Sequence, residues 1–239
     1  KTPNDFLWGE LGRYPLTINS SICCIRYWIK LTQMEENRLP KKAYKMLINL
    51  ANRGKTNWVS KVRDVLCTNG FYYAWENQGV GCARTLINEV KQRLIDCRWQ
   101  NWDCHISVSD RFIQYRQFKT SHNTEQYLLM DLNRFMRYML TRFRFGVSNL
   151  FTHSSRYKIN GNYEGYCLLC NSSIENEVHF VLCCPAYQDL RHSLIPSKYY
   201  KNPSDFRLIL LLASKNERTI KNVAKYLFKA FNRREIALS

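Results

Sequence analysis

The most informative stretch of the chain is residues 166–191, which read YCLLCNSSIENEVHFVLCCPAYQDLR. It contains Cys167 and Cys170, then His179, and then the adjacent Cys183 and Cys184. Counted to Cys184, the spacing is C-x2-C-x8-H-x4-C. Zinc prefers four thiolate or imidazole ligands in a tetrahedron. The spacing therefore predicts a structural zinc site, in which protein ligands leave no position open for a catalytic water.

The identity of the fourth ligand is open on spacing alone. A C-x2-C pair reaches one ion from a single turn, and His179 would follow from the next helix. On that helix Cys183 and Cys184, at i+4 and i+5, both lie on faces near the histidine. In the alternative interpretation no metal binds, and these two cysteines are buried on an apolar helix face. We expect the neighbouring Glu175 and Glu177 to be solvated at the start of the helix.

Outside this segment, apolar residues recur at helical spacing along most of the chain. The predicted helices cover residues 16–34, 40–54, 58–66, 84–99, 110–119 and 125–142, with two more within 205–234. The pattern fails between residues 148 and 166, where polar residues and glycines indicate a loop. We therefore predict a mainly α fold, with a helical connector over residues 1–147 and a small zinc-stabilised loop-helix domain over residues 148–239.

The charge of the chain indicates an acidic partner. Its 239 residues include 36 Lys and Arg against 19 Asp and Glu, which gives a formal net charge of +17. An excess of this size favours binding to a polyanion such as RNA or DNA. A hydrophobic content of 45% is too high for a disordered tail. No apolar stretch approaches the ~18 residues of a membrane span, so no membrane partner is expected.

The cysteine content bears on the cellular compartment, and the first residue bears on whether the sequence is part of a longer chain. Ten cysteines in a long, helical chain are more typical of free thiols than of a secreted disulfide scaffold. This favours a reducing compartment, the nucleus or the cytoplasm. The sequence begins with Lys1 rather than Met, so we expect it to be part of a longer chain.

Positive and aromatic side chains alternate in residues 132–163, which contain no acidic residue. Guanidinium groups pair with phosphates, and exposed rings stack on bases. The candidate nucleic-acid contacts here are Arg134, Arg137, Arg142, Arg144, Arg156 and Lys158. We expect Phe135 and Phe143 to lie in the core, whereas Tyr157 and Tyr163 are as suited to contacting nucleic acid as to packing.

A second basic group lies near the end of the chain. Lys221, Lys225 and Lys229 repeat at i+4 and so line one face of a helix. They are candidate phosphate contacts or part of a nuclear-import patch, and the alternative is an ordinary solvated helix face.

No catalytic constellation is evident in the sequence. No two aspartates are adjacent, so the paired carboxylates of a polymerase palm are missing from this chain. The sequence around Gly79 and Gly81 lacks the Lys-Ser/Thr of a phosphate-binding loop. We therefore expect the chain not to be an enzyme by itself.

Residues 166–191, together with LTRFRFGVSNL at 140–150, resemble the zinc-binding region downstream of the reverse transcriptase in non-LTR (LINE-type) retrotransposons. In that family an Arg-rich helix precedes a C-x2-C pair, a variable acidic stretch, a histidine and a Cys-Pro pair. The ligands that the resemblance implies are Cys167, Cys170, His179 and Cys184, the last because Pro185 follows it. GELGRYPL at 9–16 and IRYWIKL at 25–31 are similar to segments that follow the polymerase palm and thumb.

The resemblance implies the C-terminal region of a retroelement polyprotein. Such a region would bind structural zinc and grip template RNA or target DNA for the upstream polymerase, whose active site lies outside this chain. The alternative is a non-catalytic scaffold that packs on the polymerase or on another protein, with charge serving only solubility. The sequence favours neither RNA nor DNA.

Overall fold

A computed structural model of the chain describes residues 4–79, 81–150 and 165–238. Over these residues the protein is helical, and strand pairing is limited to two isolated bridges, Leu11 with Thr124 and Tyr166 with Ile174. The prediction of a mainly α fold is confirmed. The α-helices are α1 (Asn4–Leu11), α2 (Leu16–Thr32), α3 (Leu39–Asn52), α4 (Trp58–Thr68), α5 (Tyr72–Glu76), α6 (Ala83–Val108), α7 (Tyr115–Phe118), α8 (Gln126–Leu129), α9 (Arg134–Arg144), α10 (Gln188–Leu194), α11 (Ser197–Tyr200), α12 (Asp205–Leu212) and α13 (Glu217–Leu238).

The chain divides into two compact units. One is Tyr14–Asp103, and the other combines the described residues of Lys1–Arg13 and Cys104–Ser239. The structure therefore corrects the predicted boundary between residues 147 and 148. The physical reason is apolar packing, because Phe143 of α9 and Leu227 of α13, from either side of that boundary, are buried in one core.

The Tyr14–Asp103 unit has its own apolar core. Ile25 and Trp28 of α2 are fully buried with Val59 of α4. The Trp28 Nε1–H donates to the Tyr44 hydroxyl of α3 at 2.8 Å, which satisfies the one polar atom of the indole. The spacing of these buried residues along α2 and α4 is the helical period that the sequence shows.

The core of the other unit centres on Phe180, which is fully buried. Its ring centroid lies 4.6 Å from that of Phe231 in α13 and 4.9 Å from that of Tyr187. The Tyr226 hydroxyl of α13 donates to the Phe180 carbonyl at 2.7 Å. Residues 179–187 are thereby fixed against α13, and this contact positions the candidate site described below.

Several helices differ in extent from their predictions. The helix predicted at 125–142 is two helices, α8 and α9, because Asn133 caps α9 by accepting from the Phe135 N–H at 2.8 Å. The helix predicted at 84–99 continues to Val108 as α6. The region 110–119 contains a short 3-10 turn, Asp110–Phe112, followed by α7 rather than one helix.

Two further observations concern thiols and membranes. All ten cysteines lie among the described residues, and each is a free thiol. In the same part of the chain, no helix combines the length and the apolarity that crossing a bilayer requires. The predicted compartment stays a prediction.

Candidate functional site

The first two candidate ligands lie in a tight loop, residues 165–176, which we call the metal loop. Its two sides are joined by backbone hydrogen bonds. The Cys167 N–H donates to the Ser173 carbonyl at 2.8 Å, and the Glu175 N–H donates to the Gly165 carbonyl at 2.7 Å. The loop is thus a closed hairpin rather than an open coil.

The turn of this hairpin depends on Asn171. Its N–H donates to the Cys167 carbonyl at 2.8 Å, and its φ is +52°. Asparagine is among the few residues with a side chain that accept this left-handed conformation readily. The chain therefore reverses directly after Cys170, which keeps both thiols on one side of the turn.

The other candidate ligands come from a single turn of π-helix, His179–Cys183, and the residue after it. Across this turn the Cys184 N–H donates to the His179 carbonyl at 2.7 Å, so the bond spans five residues instead of four. Because the turn is wider than that of an α-helix, the residue five positions on returns to the side of the histidine. Cys184 is buried beside the other ligands, whereas Cys183 is exposed.

The side chains of Cys167, Cys170, His179 and Cys184 meet at one point. Their ligand atoms all lie within 4.8 Å of one another. The Sγ atoms of Cys167 and Cys184 are 3.8 Å apart, and the Cys170 Sγ is 3.2 Å from the His179 Nε2. Among the described residues, this is the one group of three or more His, Cys, Asp or Glu side chains close enough to hold a metal ion.

In the absence of a metal, the pKa shifts differ from one ligand of the cluster to another. Burial raises the pKa of Cys167 and Cys184, and hydrogen bonds from backbone N–H groups oppose this rise. At Cys170 burial also opposes ionisation, but bonds from the hydroxyl and N–H of Ser172 lower the net pKa. Burial lowers the pKa of His179, which favours the neutral imidazole that binds metals. The N–H donors are Leu169 and Cys170 for Cys167, Ser172 for Cys170, and Ala186 for Cys184.

Charged side chains hold the metal loop and the π-helical turn from outside. Arg234 of α13 donates from Nε and Nη2 to the two carboxylate oxygens of Glu175, at 2.7 and 2.8 Å. Arg191 of α10 donates to the carbonyls of Val181 and Cys184, at 2.9 and 2.5 Å. Both arginines are buried, so these two carbonyls and the Glu175 carboxylate have charged donors inside the protein.

The expectation that Glu175 and Glu177 are solvated is wrong. Glu175 is 0% exposed and Glu177 is 5% exposed. Glu175 is buried because it is the partner of Arg234, which lies 59 residues further along the chain. Sequence reasoning missed this pair, and its local signal is weak because glutamate beside histidine is common on solvated helices.

Four of the predicted nucleic-acid contacts are exposed. Arg134 lies at the start of α9, and Lys221, Lys225 and Lys229 follow one face of α13. Within the described part of the chain, none of the four forms an ion pair. α9 and α13 pack against each other, and the ring centroids of Phe135 and Phe228 are 6.4 Å apart.

Two further predicted contacts, Arg137 and Arg142, are half-buried and bind carbonyl groups. Arg137 donates to the Met130 carbonyl at 2.9 Å. Arg142 donates from Nη2 to the Val147 carbonyl at 2.8 Å, and from Nη1 to the Tyr138 hydroxyl at 3.1 Å. Both arginines therefore hold the ends of α9.

The prediction that Arg144 contacts nucleic acid is corrected by the structure. Its side chain is 3% exposed, and the guanidinium binds the carboxylates of Glu10 and Glu125 at 3.0 and 2.9 Å. It also donates to the Leu212 carbonyl at 2.9 Å. Arg144 is a core residue whose charge is neutralised internally, so no phosphate can reach it.

The remaining predictions divide between core, surface and the undescribed segment. Phe143 is 2% exposed, as predicted for a core residue, but Phe135 is 60% exposed, so its assignment to the core is wrong. Tyr138, one turn from Phe135, is 52% exposed. The candidates Arg156, Lys158, Tyr157 and Tyr163 lie outside the described residues.

Comparison with known proteins identifies no relative. No known family, no curated protein and no solved structure matches this chain.

Proposed function

We propose that this chain is a nucleic-acid-binding module built on a structural zinc ion. We further propose that it is the C-terminal region of a non-LTR retrotransposon reverse transcriptase and grips template RNA or target DNA for an upstream polymerase. The observation that carries the proposal is the convergence of Cys167, Cys170, His179 and Cys184 in the unit that also exposes the lysines of α13.

The donor set and its dimensions support zinc as the metal. In a tetrahedron with zinc–sulfur bonds of about 2.3 Å, neighbouring sulfur atoms are about 3.8 Å apart. The Cys167 and Cys184 Sγ atoms are 3.8 Å apart. The corresponding sulfur–nitrogen distance is about 3.6 Å, and Cys170 Sγ and His179 Nε2 are 3.2 Å apart. Since all four ligand atoms lie within 4.8 Å of one another, movements of about 1 Å or less would complete the tetrahedron.

Three thiolates and one imidazole would fill all four positions, so the ion would serve folding rather than catalysis. It would join the metal loop to the π-helical turn, whose residues Phe180, Val181 and Leu182 are buried in the core. Structural zinc sites in peptides have apparent binding free energies of about 10–16 kcal/mol at neutral pH. An ion bound in this way would fix the segment that packs on α13.

The charge distribution supports a polyanionic partner. Arg134, Lys221, Lys225 and Lys229 are exposed cations without carboxylate partners in the described chain, so their charge is available to phosphates. The stretch of α13 between Glu217 and Glu235 contains no acid. The assignment to a retroelement rests on the sequence resemblance described above. The ten free thiols support a reducing compartment, the nucleus or the cytoplasm.

Elemental analysis of the purified chain tests the metal. We expect one zinc per chain, lost in the double variant Cys167→Ser/Cys170→Ser. The matched control is Cys23→Ser/Cys82→Ser, which removes two exposed thiols far from the cluster in sequence and should retain the metal. A wild-type chain purified without any metal would contradict the proposal.

Binding to RNA and DNA oligonucleotides at several salt concentrations tests the ligand. We expect Lys221→Ala/Lys225→Ala/Lys229→Ala to weaken binding and to flatten the slope of log K against log salt by about 0.7–0.9 per lost phosphate contact. The control Lys42→Ala/Lys61→Ala/Lys91→Ala removes the same charge from exposed positions in the Tyr14–Asp103 unit. Equal effects of the two variants, or no binding by the wild type at low salt, would favour the scaffold alternative.

A further inference from the structure

The surface formed by α9 and α13 combines the exposed rings of α9 and the half-buried ring of Phe228 with exposed cations. We call it the α9–α13 surface and define it by Arg134, Phe135, Tyr138, Lys221, Lys225, Phe228 and Lys229. From it we infer that the preferred ligand is single-stranded nucleic acid, whose bases stack on Phe135 and Tyr138. This inference rests on the proposed function and specifies the ligand class.

The two rings are placed for contact with a ligand. Phe135 and Tyr138 are 60% and 52% exposed and lie one helical turn apart on α9. The face of α9 that packs into the core is a different one and carries Leu140 and Phe143. Two large rings exposed side by side form an apolar patch, and patches of this kind are used as binding surfaces.

Neighbouring side chains fix the orientation of both rings. The Arg142 guanidinium lies over the Tyr138 ring, 5.4 Å from its centroid, and donates to its hydroxyl at 3.1 Å. Arg142 is itself held by the Val147 carbonyl. The Phe135 ring contacts Phe228 of α13, with 6.4 Å between centroids. Rings held in this way lose little conformational entropy when a base stacks on them.

The same surface supplies phosphate contacts next to the rings. On α13, Lys225 lies three residues before Phe228, the ring that touches Phe135, and Lys229 lies one turn beyond Lys225 on the same face. Arg134 precedes Phe135 at the exposed start of α9. Alternating rings and cations form the arrangement by which proteins track a single strand, with bases on the rings and phosphates on the cations.

This arrangement favours a single strand over a duplex. A base stacks on a side chain only if its face is free, and base faces inside a duplex are covered by neighbouring base pairs. A duplex would contact the lysines through its phosphates and would not stack on the rings. The rings therefore determine the preference for strandedness, and the lysines determine the dependence on salt.

The test compares zinc-loaded full-length chains by fluorescence anisotropy on a 20-nucleotide oligo(U) and on a blunt duplex RNA of equal length. We expect Phe135→Ala and Tyr138→Ala each to weaken single-strand binding roughly tenfold, within the range measured for stacked bases. Duplex binding and the salt slope should stay unchanged, because a ring releases no counterions. The control is Phe206→Ala, which removes a phenylalanine of similar exposure, 64%, from α12.

A second readout does not depend on variants. A single strand carrying the photoreactive base 5-iodouracil should crosslink to Phe135 or Tyr138, which mass spectrometry of the digested complex would locate. Ring variants that leave single-strand binding intact, while the α13 lysine variant weakens it, would overturn this inference and leave the proposed function standing. Absence of any binding at low salt would overturn both.

Discussion

Arg234 of α13 and Glu175 of the metal loop form a two-point ion pair with donor–acceptor distances of 2.7 and 2.8 Å. The Glu175 carboxylate is fully buried, and the Arg234 side chain is 10% exposed. The pair is the charged link between the final helix and the loop that carries Cys167 and Cys170. It therefore couples the stability of α13 to the geometry of the candidate metal site.

Removing one partner of this pair should lower the free energy of unfolding strongly, and removing both partners should lower it much less. We expect Arg234→Met to destabilise the protein by about 3–5 kcal/mol, because it leaves a buried carboxylate without a partner. The double variant Arg234→Met/Glu175→Gln should recover a large part of that loss. Urea unfolding of the single and double variants measures the coupling, and additive losses would show that the two side chains act independently.

Arg233 of α13 and Asp189 of α10 form a second, exposed ion pair, whose contribution to stability should depend on pH. Two hydrogen bonds from Arg233, at 2.6 and 2.7 Å, hold the pKa of Asp189 below its ordinary value. A lowered folded-state pKa stabilises the protein above the unfolded value of about 3.9, and this contribution is lost as the pH falls through the folded-state pKa. Because the Asp189 side chain is 65% exposed, solvent screens the pair, and we expect less than about 1 kcal/mol.

Asp189→Asn tests this expectation. Its urea midpoint should lie slightly below that of the wild type at pH 7, and the difference should shrink as the pH is lowered below 4. High salt should also reduce the difference between the two midpoints. A difference that grows in acid would contradict the assignment of the lowered pKa to the pair with Arg233.

The π-helical turn leads to a prediction about the fourth ligand. Cys184→Ser should abolish stoichiometric metal binding, because its Sγ is one corner of the cluster. Cys183→Ser should retain the metal, since Cys183 is exposed and outside the cluster. Elemental analysis of the two variants, which differ by one position, makes the comparison direct. Metal loss in the Cys183 variant alone would mean that the chain is α-helical here when loaded.

Local patterns in the sequence were sufficient for the ligand cluster and for the longer amphipathic helices. The spacing of Cys167, Cys170 and His179 and the helical period of α13 are features of neighbouring residues, so they can be interpreted without a fold. The choice between Cys183 and Cys184 was open on spacing, because it depends on how one helical turn is wound.

Partners distant in sequence account for what could not be predicted. Arg144 looks like any other arginine in an acid-free window, but its partner Glu10 lies 134 residues earlier in the chain. Similarly, Phe135 has the spacing of a core residue, but the face of α9 that packs into the core carries Leu140 and Phe143 instead. The predicted domain boundary was misplaced for the same reason, since α9 and α13 share a core across it.

Because Arg144 is buried, we expect its substitution to lower the stability of the protein without weakening nucleic-acid binding. We expect Arg144→Met to destabilise the protein by about 3–5 kcal/mol, because Glu10 would be left buried without its cation. The folded fraction should still bind nucleic acid with wild-type affinity. Lys225→Ala should show the reverse, with unchanged stability and weaker binding. Urea unfolding measures the stability of each variant, and anisotropy on the same preparations measures its nucleic-acid affinity. Weaker binding by fully folded Arg144→Met would indicate that Arg144 contacts the nucleic acid.

Removing the metal should loosen one part of the chain selectively. Without an ion, the thiols and imidazole of the cluster lose the partner that offsets their desolvation, and the metal loop keeps its backbone hydrogen bonds and the pair between Glu175 and Arg234. We expect a zinc chelator to accelerate amide hydrogen exchange in residues 165–195 and in the half of α13 that contains Arg234. Exchange in α2 and α4, whose core is separate, should not change. The Cys167→Ser/Cys170→Ser variant should show the same pattern without chelator and no further response to it. Uniform acceleration across both units, or none at all, would contradict a structural role for the metal at this site.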